Sequence, residues 1–188
     1  MNEPLVFNPW PKIPRTNKVN VFAVVTEKLD GTNASVLIDD LGNFVTAGSR
    51  KQWITPDNDN YGFARWATEN RKELEKLGPG HHFGEWYGLG IQKNPLGLFD
   101  KRFALFNTSR WSNPEDRPTC CECVTVFNTG FYSQEFVDEC AKMLEEHGSF
   151  HVPDSKGKPE GLVVYLPAFD AMAKWTFDYK EGKWTGNV

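Results

Sequence analysis

The chain lacks any apolar run approaching the roughly 18 residues that a membrane-crossing helix needs, so no spanning helix is expected. It lacks a basic excess: 21 Lys and Arg stand against 25 Asp and Glu, for a net charge of −4. Proteins that coat nucleic acid non-specifically work by neutralising phosphates. The acidic balance argues against that class and leaves room only for a local basic groove. Its first residues show no basic segment followed by an apolar stretch, so no secretory signal is expected. Cysteine is scarce: Cys120, Cys121, Cys123 and Cys140. With nothing pointing to export, these read as reduced thiols of a cytoplasmic protein. The single-residue gap in Cys121-Glu122-Cys123 is a poor match to the wider pairs that bind zinc, and His81-His82 has no partner at metal-ligand spacing. Both groups read as packing or hydrogen-bonding residues. Repeats and low-complexity tracts are absent.

What is present is a chain of 188 residues, 39% hydrophobic and 24% charged, which suits one domain with a real core. Residues 19–25 are apolar and β-branched, and read as a buried strand. Asp30-Gly31 reads as a turn into a strand over 34–38. A hairpin turn at 39–43 leads to a strand at 44–47. Phe63, Trp66, Ala67, Leu74 and Leu77 fall on one face at helical spacing, so a helix is expected over 61–77. Asn58 to Asn60 offer its caps, and Gly78-Pro79 stops it. Short strands are expected at 82–87 and 103–106. A helix over 134–147 has Ser133 to cap its start and Gly148 its end. Strands at 161–166 and 171–177 follow. Many short strands with two helices between them indicate an α+β domain of mostly antiparallel sheet.

The segment Glu27-Lys28-Leu29-Asp30-Gly31-Thr32-Asn33 carries the chemistry. It places a lysine where a strong strand ends, beside a glycine that permits close backbone approach. An exposed lysine has a pKa of about 10.4, so only about one in a few thousand is neutral at pH 7. A nucleophilic lysine needs desolvation or nearby positive charge to shed its proton. Alone, such a string reads as a solvated lysine beside a common turn.

Further segments change that reading. EKLDGTN resembles motif I of the covalent nucleotidyltransferases, the superfamily of polynucleotide ligases and mRNA capping enzymes. Ser49-Arg50-Lys51 stands where that superfamily carries an arginine. FGEWYGLGIQKN (83–94) resembles motif III and the segment after it. RFALFNTS contains the strand whose aromatic side chain, Phe106, would stack on adenine. EGLVVY (160–165) resembles motif IV, and Lys174 in AMAKWTF occupies the place of motif V. The matches run in order from Glu27 to Lys174. EKLDGTN and GEWYGLGIQKN most resemble the bacteriophage RNA ligase 2 group, ATP-dependent enzymes that seal nicked or bridged RNA.

The resemblance implies a nucleotidyltransferase domain of the ligase type and a role for each residue. Lys28 would attack the α-phosphate of ATP. Glu27 would accept from the adenine amine, and Arg50 and Glu85 would hold ribose and phosphate. A carboxylate suits ribose because it accepts from both hydroxyls. Phe106 would contribute roughly 1–3 kcal/mol by stacking on the base. Glu160 would bind the divalent metal, Mg²⁺ or Mn²⁺. Lys174 would neutralise the α-phosphate, and Asn33 matches a residue used in later steps. The implied partners are RNA ends, nicked or bridged, with DNA ends as the variant.

The sequence departs from the pattern in three places. Thr176 replaces the second motif V lysine, for which Lys180 or Lys183 would have to substitute. Asn107 stands where an aspartate is common. The eleven residues after Phe177 are far too few for the C-terminal accessory domain that related ligases append, so residues 1–188 are expected to form one adenylyltransferase domain. Lys12, Arg15, Lys18, Lys101, Arg102, Lys156 and Lys158 are candidates for a basic groove, and weak, salt-sensitive binding or a helper protein is expected. The competing readings are a DNA ligase or other nucleotidyltransferase using the same lysine, and a non-catalytic module that binds nucleotide or RNA ends.

Overall fold

The computed structural model describes residues 20–177. Val19, the N-terminal members of the expected basic groove (Lys12, Arg15 and Lys18), and Lys180 and Lys183 lie outside the described residues. Two sheets form the frame. The first has four strands in the order β10-β9-β1-β8: Ala171–Thr176, Gly161–Leu166, Phe22–Lys28 and Val126–Phe131, all antiparallel. The second has six, β4-β3-β2-β5-β6-β7: Trp53–Ile54, Phe44–Ser49, Gly31–Ile38, Gly80–Gly88, Lys101–Leu105 and Glu122–Cys123. Only its β6–β7 pair is parallel. This is the α+β, mostly antiparallel architecture that the short alternating strands imply.

Strand β1 runs farther than its apolar residues do. Its expected end at Val25 moves to Lys28, because Thr26, Glu27 and Lys28 find backbone partners in Val163, Leu162 and Gly161 of β9. Lys28 therefore sits in the sheet, opposite Gly161, rather than in the turn that follows. Ala23 and Val25 point to one face, where helix α4 (Gln134–His147) covers them with Val137, Cys140, Ala141 and Leu144. That helix matches expectation residue for residue. The Ser133 hydroxyl accepts from the Phe136 N–H at 3.0 Å, and Gly148, at φ 76°, closes the far end.

The second sheet buries its opposite core under aromatic rings. Phe63 lies 4.9 Å from Phe103 and 5.4 Å from Trp86, centroid to centroid. The helix expected over 61–77 is broken in three: α1 (Phe63–Glu69), α2 (Arg71–Leu74) and a 3₁₀ turn (Glu75–Leu77). Asn70 makes the break. Both its backbone N–H and its side-chain amide donate to the Trp66 carbonyl, at 3.0 and 2.8 Å. Side chains of this kind compete with the helical ladder. Of the expected caps only Asp59 serves helix α1, accepting from the Ala64 and Arg65 N–H groups at 2.7 and 3.0 Å. Strands β4, β7 and β8 and the short helix α3 (Thr108–Trp111) were not evident in the sequence. In β8 the run Asn128-Thr129-Gly130 hides the strand. Its glycine gives way to the Phe136 ring, which lies 2.9 Å from where a Cβ would stand.

Candidate active site

Lys28 closes β1 with its Nζ 2.5 Å from Glu160 Oε2, the two side chains 22% and 23% exposed. The register explains the pair. Lys28 lies opposite Gly161, so Glu160, the residue before β9, stands diagonally beside it. Strand β2 then brings in the second carboxylate. Asn33 lies opposite Glu85 of β5, and its amide donates to Glu85 Oε2 at 3.1 Å. This closeness depends on Gly31: a Cβ there would stand 2.8 Å from Tyr87 Cβ and 3.0 Å from Glu85 Cγ.

Burial pushes the Glu85 carboxyl up from 4.5 to about 7. The Lys28 charge and the Asn33 hydrogen bond pull against that rise, while Glu160 and Asp30 add to it. Lys28, Glu85, Glu160 and Asp30 therefore form one electrostatic group. Asp30 also accepts from the Lys93 N–H at 3.1 Å, tying the turn after β1 to the GLGIQKN segment. A cavity of about 470 Å³ opens beside this group, lined by Asp30, Lys93, Lys158 and Glu160 among others.

The remaining residues fall in three places. Residues directly opposite in an antiparallel sheet share a face, and the side-chain period is two. Thr176, Gly161 and Lys28 form one row across the first sheet, and Lys174, Val163 and Thr26 the next. Lys174 is thus exposed on the face that carries Lys28, one row away, and Thr176 sits in the row of Lys28 itself. Phe106 follows β6 rather than lying within it. Its N–H donates to the Phe83 carbonyl at 3.0 Å, which keeps it in the sheet's alternation, on the side of Glu85 and 40% exposed. Asn107, where an aspartate is common, caps helix α3 by accepting from the Arg110 N–H at 3.2 Å. Arg50 is exposed on the β3–β4 turn and lines a separate open cleft of about 410 Å³ with Thr32, Lys51, Asn58 and Asn60.

Glu27, expected at the adenine amine, lies on the other side of β1. Its side chain points away from the Lys28 face and is buried, 2% exposed. The Ser149 hydroxyl lies 2.8 and 3.0 Å from its two oxygens, and the His151 N–H donates to Oε2 at 3.0 Å. The carboxylate engages the protein rather than standing open to a base. Alternation in a strand sends neighbours to opposite faces, and residues 27 and 28 are neighbours within β1. Ser149 and His151, which hold this carboxylate, and Glu122, which contacts the His151 ring, carry no motif and gave no signal in sequence; Tyr87, the ring's other partner, lies within the motif III-like segment.

The cysteines are free thiols, with Cys121, Cys123 and Cys140 buried. Buried His82 makes a 2.9 Å contact to the Gly78 carbonyl, and the His81 ring packs against Phe83 at 4.0 Å, tilted by 40°. Among the described residues no group of three or more His, Cys, Asp or Glu is arranged to hold a metal. Nor is any helix among them long and apolar enough to cross a membrane.

Solved structures share this fold. An arginine-to-alanine variant of the Naegleria gruberi RNA ligase, with ATP and Mn, superposes with a TM-score of 0.57 at 21% identity, over 84% of this chain and 50% of that one. A glutamate-to-alanine variant with AMP and Mn gives 0.61 at 20% identity, over 83% and 49%. A lysine-to-alanine variant with ATP and Mn gives 0.59 at 20%, over the same shares. The chain thus spans about half the length of these structures. Among curated proteins no sequence match is found. The RNA ligase family profile matches residues 22–176, which takes in both sheets and every residue of the site described above. The chain belongs to the RNA ligase family.

Proposed function

We propose that the protein is an ATP-dependent RNA ligase that joins 3′-hydroxyl and 5′-phosphate ends through a lysyl-AMP on Lys28. The observation that carries this reading is the placement of Lys28. It ends a rigid strand, touches Glu160 at 2.5 Å and lies in the field of Glu85. In the first step the Lys28 amine, having lost its proton, forms an N–P bond to the α-phosphate. The bond from that phosphorus to the bridging oxygen breaks, and pyrophosphate carries away the electron pair. AMP then passes to a 5′-phosphate, and a 3′-hydroxyl displaces it. Phosphoryl transfer of this kind rests on alignment and charge neutralisation.

The other residues take roles that fit their positions. Ionised Glu85 accepts from the ribose hydroxyls while Asn33 holds it in place. Phe106 offers an exposed ring to the base. Lys174 faces the phosphate from the next row. Arg50, at the rim, meets the incoming strand or the ribose. Glu27 acts from behind β1 rather than at the adenine. The carboxylate of Glu160 would hold a divalent cation, Mg²⁺ or Mn²⁺. One carboxylate suits a metal that completes its shell with nucleotide phosphate oxygens, as Mg²⁺ commonly does. Bound there, the ion would neutralise charge on the phosphates. The work of the enzyme would be cytoplasmic. RNA ends are the partners in this reading, and the acidic balance of 25 Asp and Glu over 21 Lys and Arg favours a helper protein in holding them.

Intact mass after incubation with ATP and Mg²⁺ or Mn²⁺ tests the reading. One AMP-sized increase is expected in the wild type and none in Lys28→Ala. A missing adduct under both metals would favour the non-catalytic nucleotide- or RNA-end-binding module. Thr176, in the row where the family carries a second lysine, is the observation on its side. Sealing of nicked DNA but not nicked RNA by the adenylylated protein would replace RNA ligase with DNA ligase.

A further inference from the structure

Behind the candidate site lies a set of partly buried polar groups, centred on His151, that the reaction above does not use. The His151 side chain is only 5% exposed. Its Nε2 lies 2.8 Å from the Tyr87 hydroxyl and 3.1 Å from Glu122 Oε2, and its Nδ1 lies 3.0 Å from the Thr125 hydroxyl. Tyr87 also donates directly to Glu122, which Arg102 reaches at 3.4 Å. One tautomer satisfies the ring, with Nε2–H donating toward Glu122 and Nδ1 accepting from Thr125.

The backbone of the same residue donates to Glu27, next to Lys28 in β1. Thr125 repeats the connection, since its carbonyl accepts from the Glu27 N–H at 3.3 Å. Tyr87 and Glu122 belong to β5 and β7 of the second sheet, and Glu27 to β1 of the first. His151 therefore bridges the two sheets at the end of β1 that bears Lys28. The register of β1 against β8 slips between Val25 and Thr26, just before this point, so while β9 pairs one edge of the strand through Lys28, the other edge at Glu27 is held by Thr125 and the loop that carries His151.

We propose that His151 is a positioning residue for Lys28: it ties the strand that carries the amine to the sheet that carries Glu85, and so sets where the amine meets the α-phosphate. The inference rests on Lys28 being the nucleophile. Its loop partner Ser149 completes the tie, since its hydroxyl faces Glu27 and accepts from the Val152 N–H at 2.8 Å. A tie of this kind acts on alignment, and a misplacement near 1 Å costs roughly 100-fold in rate.

The test is single-turnover adenylylation at saturating ATP, followed by intact mass, for wild type, His151→Ala and His151→Gln. The alanine variant is expected to reach one AMP per chain, with a rate constant lower by roughly 10- to 100-fold. Its half-saturating ATP should stay within about threefold of wild type. Glutamine, which restores a donor near the Nε2 position, is expected to recover most of the rate. A merely structural role gives the opposite pattern: fewer chains labelled, each at the wild-type rate constant. That pattern, or a wild-type rate in the alanine variant, overturns the proposal. If the alanine variant has no thermal transition, Tyr87→Phe decides instead. It removes one hydroxyl, and an unchanged rate constant overturns the proposal while a lowered one supports it. Failure of the wild type to form any adduct would instead count against Lys28 as nucleophile.

Discussion

Replacing Glu85 by glutamine is expected to stabilise the protein above neutral pH while weakening its chemistry. Burial lifts this carboxyl from 4.5 to about 7. The folded state therefore binds the proton more tightly than the unfolded chain. The associated stability is fully present below about 4.5 and is lost as pH rises through about 7. At about 1.4 kcal/mol per pH unit, the difference amounts to roughly 3 kcal/mol. For a chain of this length that corresponds to roughly 6–12 °C in melting temperature. Glutamine stays neutral and keeps an acceptor for Asn33, so it avoids the cost of ionising a buried carboxyl. Calorimetry from pH 4 to 8 should show wild type and Glu85→Gln melting nearly together at the acid end. The variant should pull ahead as pH rises. Its adenylylation should fall, because an amide accepts fewer ribose hydrogen bonds than a carboxylate. Parallel pH profiles, or a variant less stable at pH 8, would refute the assignment of the burial cost to Glu85.

Two further outcomes follow from local geometry. Gly31→Ala would push a methyl group against Tyr87 Cβ at 2.8 Å and Glu85 Cγ at 3.0 Å. A loss of about 1–3 kcal/mol in urea unfolding is expected, and an unchanged midpoint would show that β2 and β5 separate freely. Thr176→Lys places a second ammonium in the row of Lys28 and Gly161. Faster adduct formation at low ATP is expected from added phosphate neutralisation, and an unaltered rate would remove Thr176 from the phosphate path.

Much of this was legible in the chain, and the exceptions have physical causes. Helix α4 was read to the residue because its apolar face, Ser133 and Gly148 all point to one answer. The 61–77 helix kept its apolar period but not its continuity, because one amide side chain at Asn70 turned back on the Trp66 carbonyl. Periodicity does not report such a competition. The motif residues were read from resemblance. The structure places Lys28, Glu160, Glu85 and Asn33 together, with Lys174 and Phe106 on their faces of the two sheets. Arg50 stands apart at a second cleft. His151 and Glu122 were invisible because their meaning lies in contacts across 29 and 124 positions of sequence, to each other and to Glu27.

Glu27 and Lys28 show why adjacency in a motif does not mean adjacency in role. The strand sends one side chain into the interior and the next to the opposite face, against Glu160. A carboxylate at 2% exposure is costly unless its oxygens are bonded, and Ser149 and His151 bond both. Replacing such a group with a packed apolar residue is often neutral or favourable for stability, so stability alone is a weak reason for it to be there. Geometry is a stronger one. An apolar side chain can slide against its neighbours, whereas a carboxylate held by a hydroxyl and an amide N–H fixes the backbone that bears it. The fixed backbone is the one that presents Lys28. If Lys28 is the nucleophile proposed above, the carboxylate behind β1 and the amine in front of it form one device, in which a hydrogen-bonded anchor holds the amine in place.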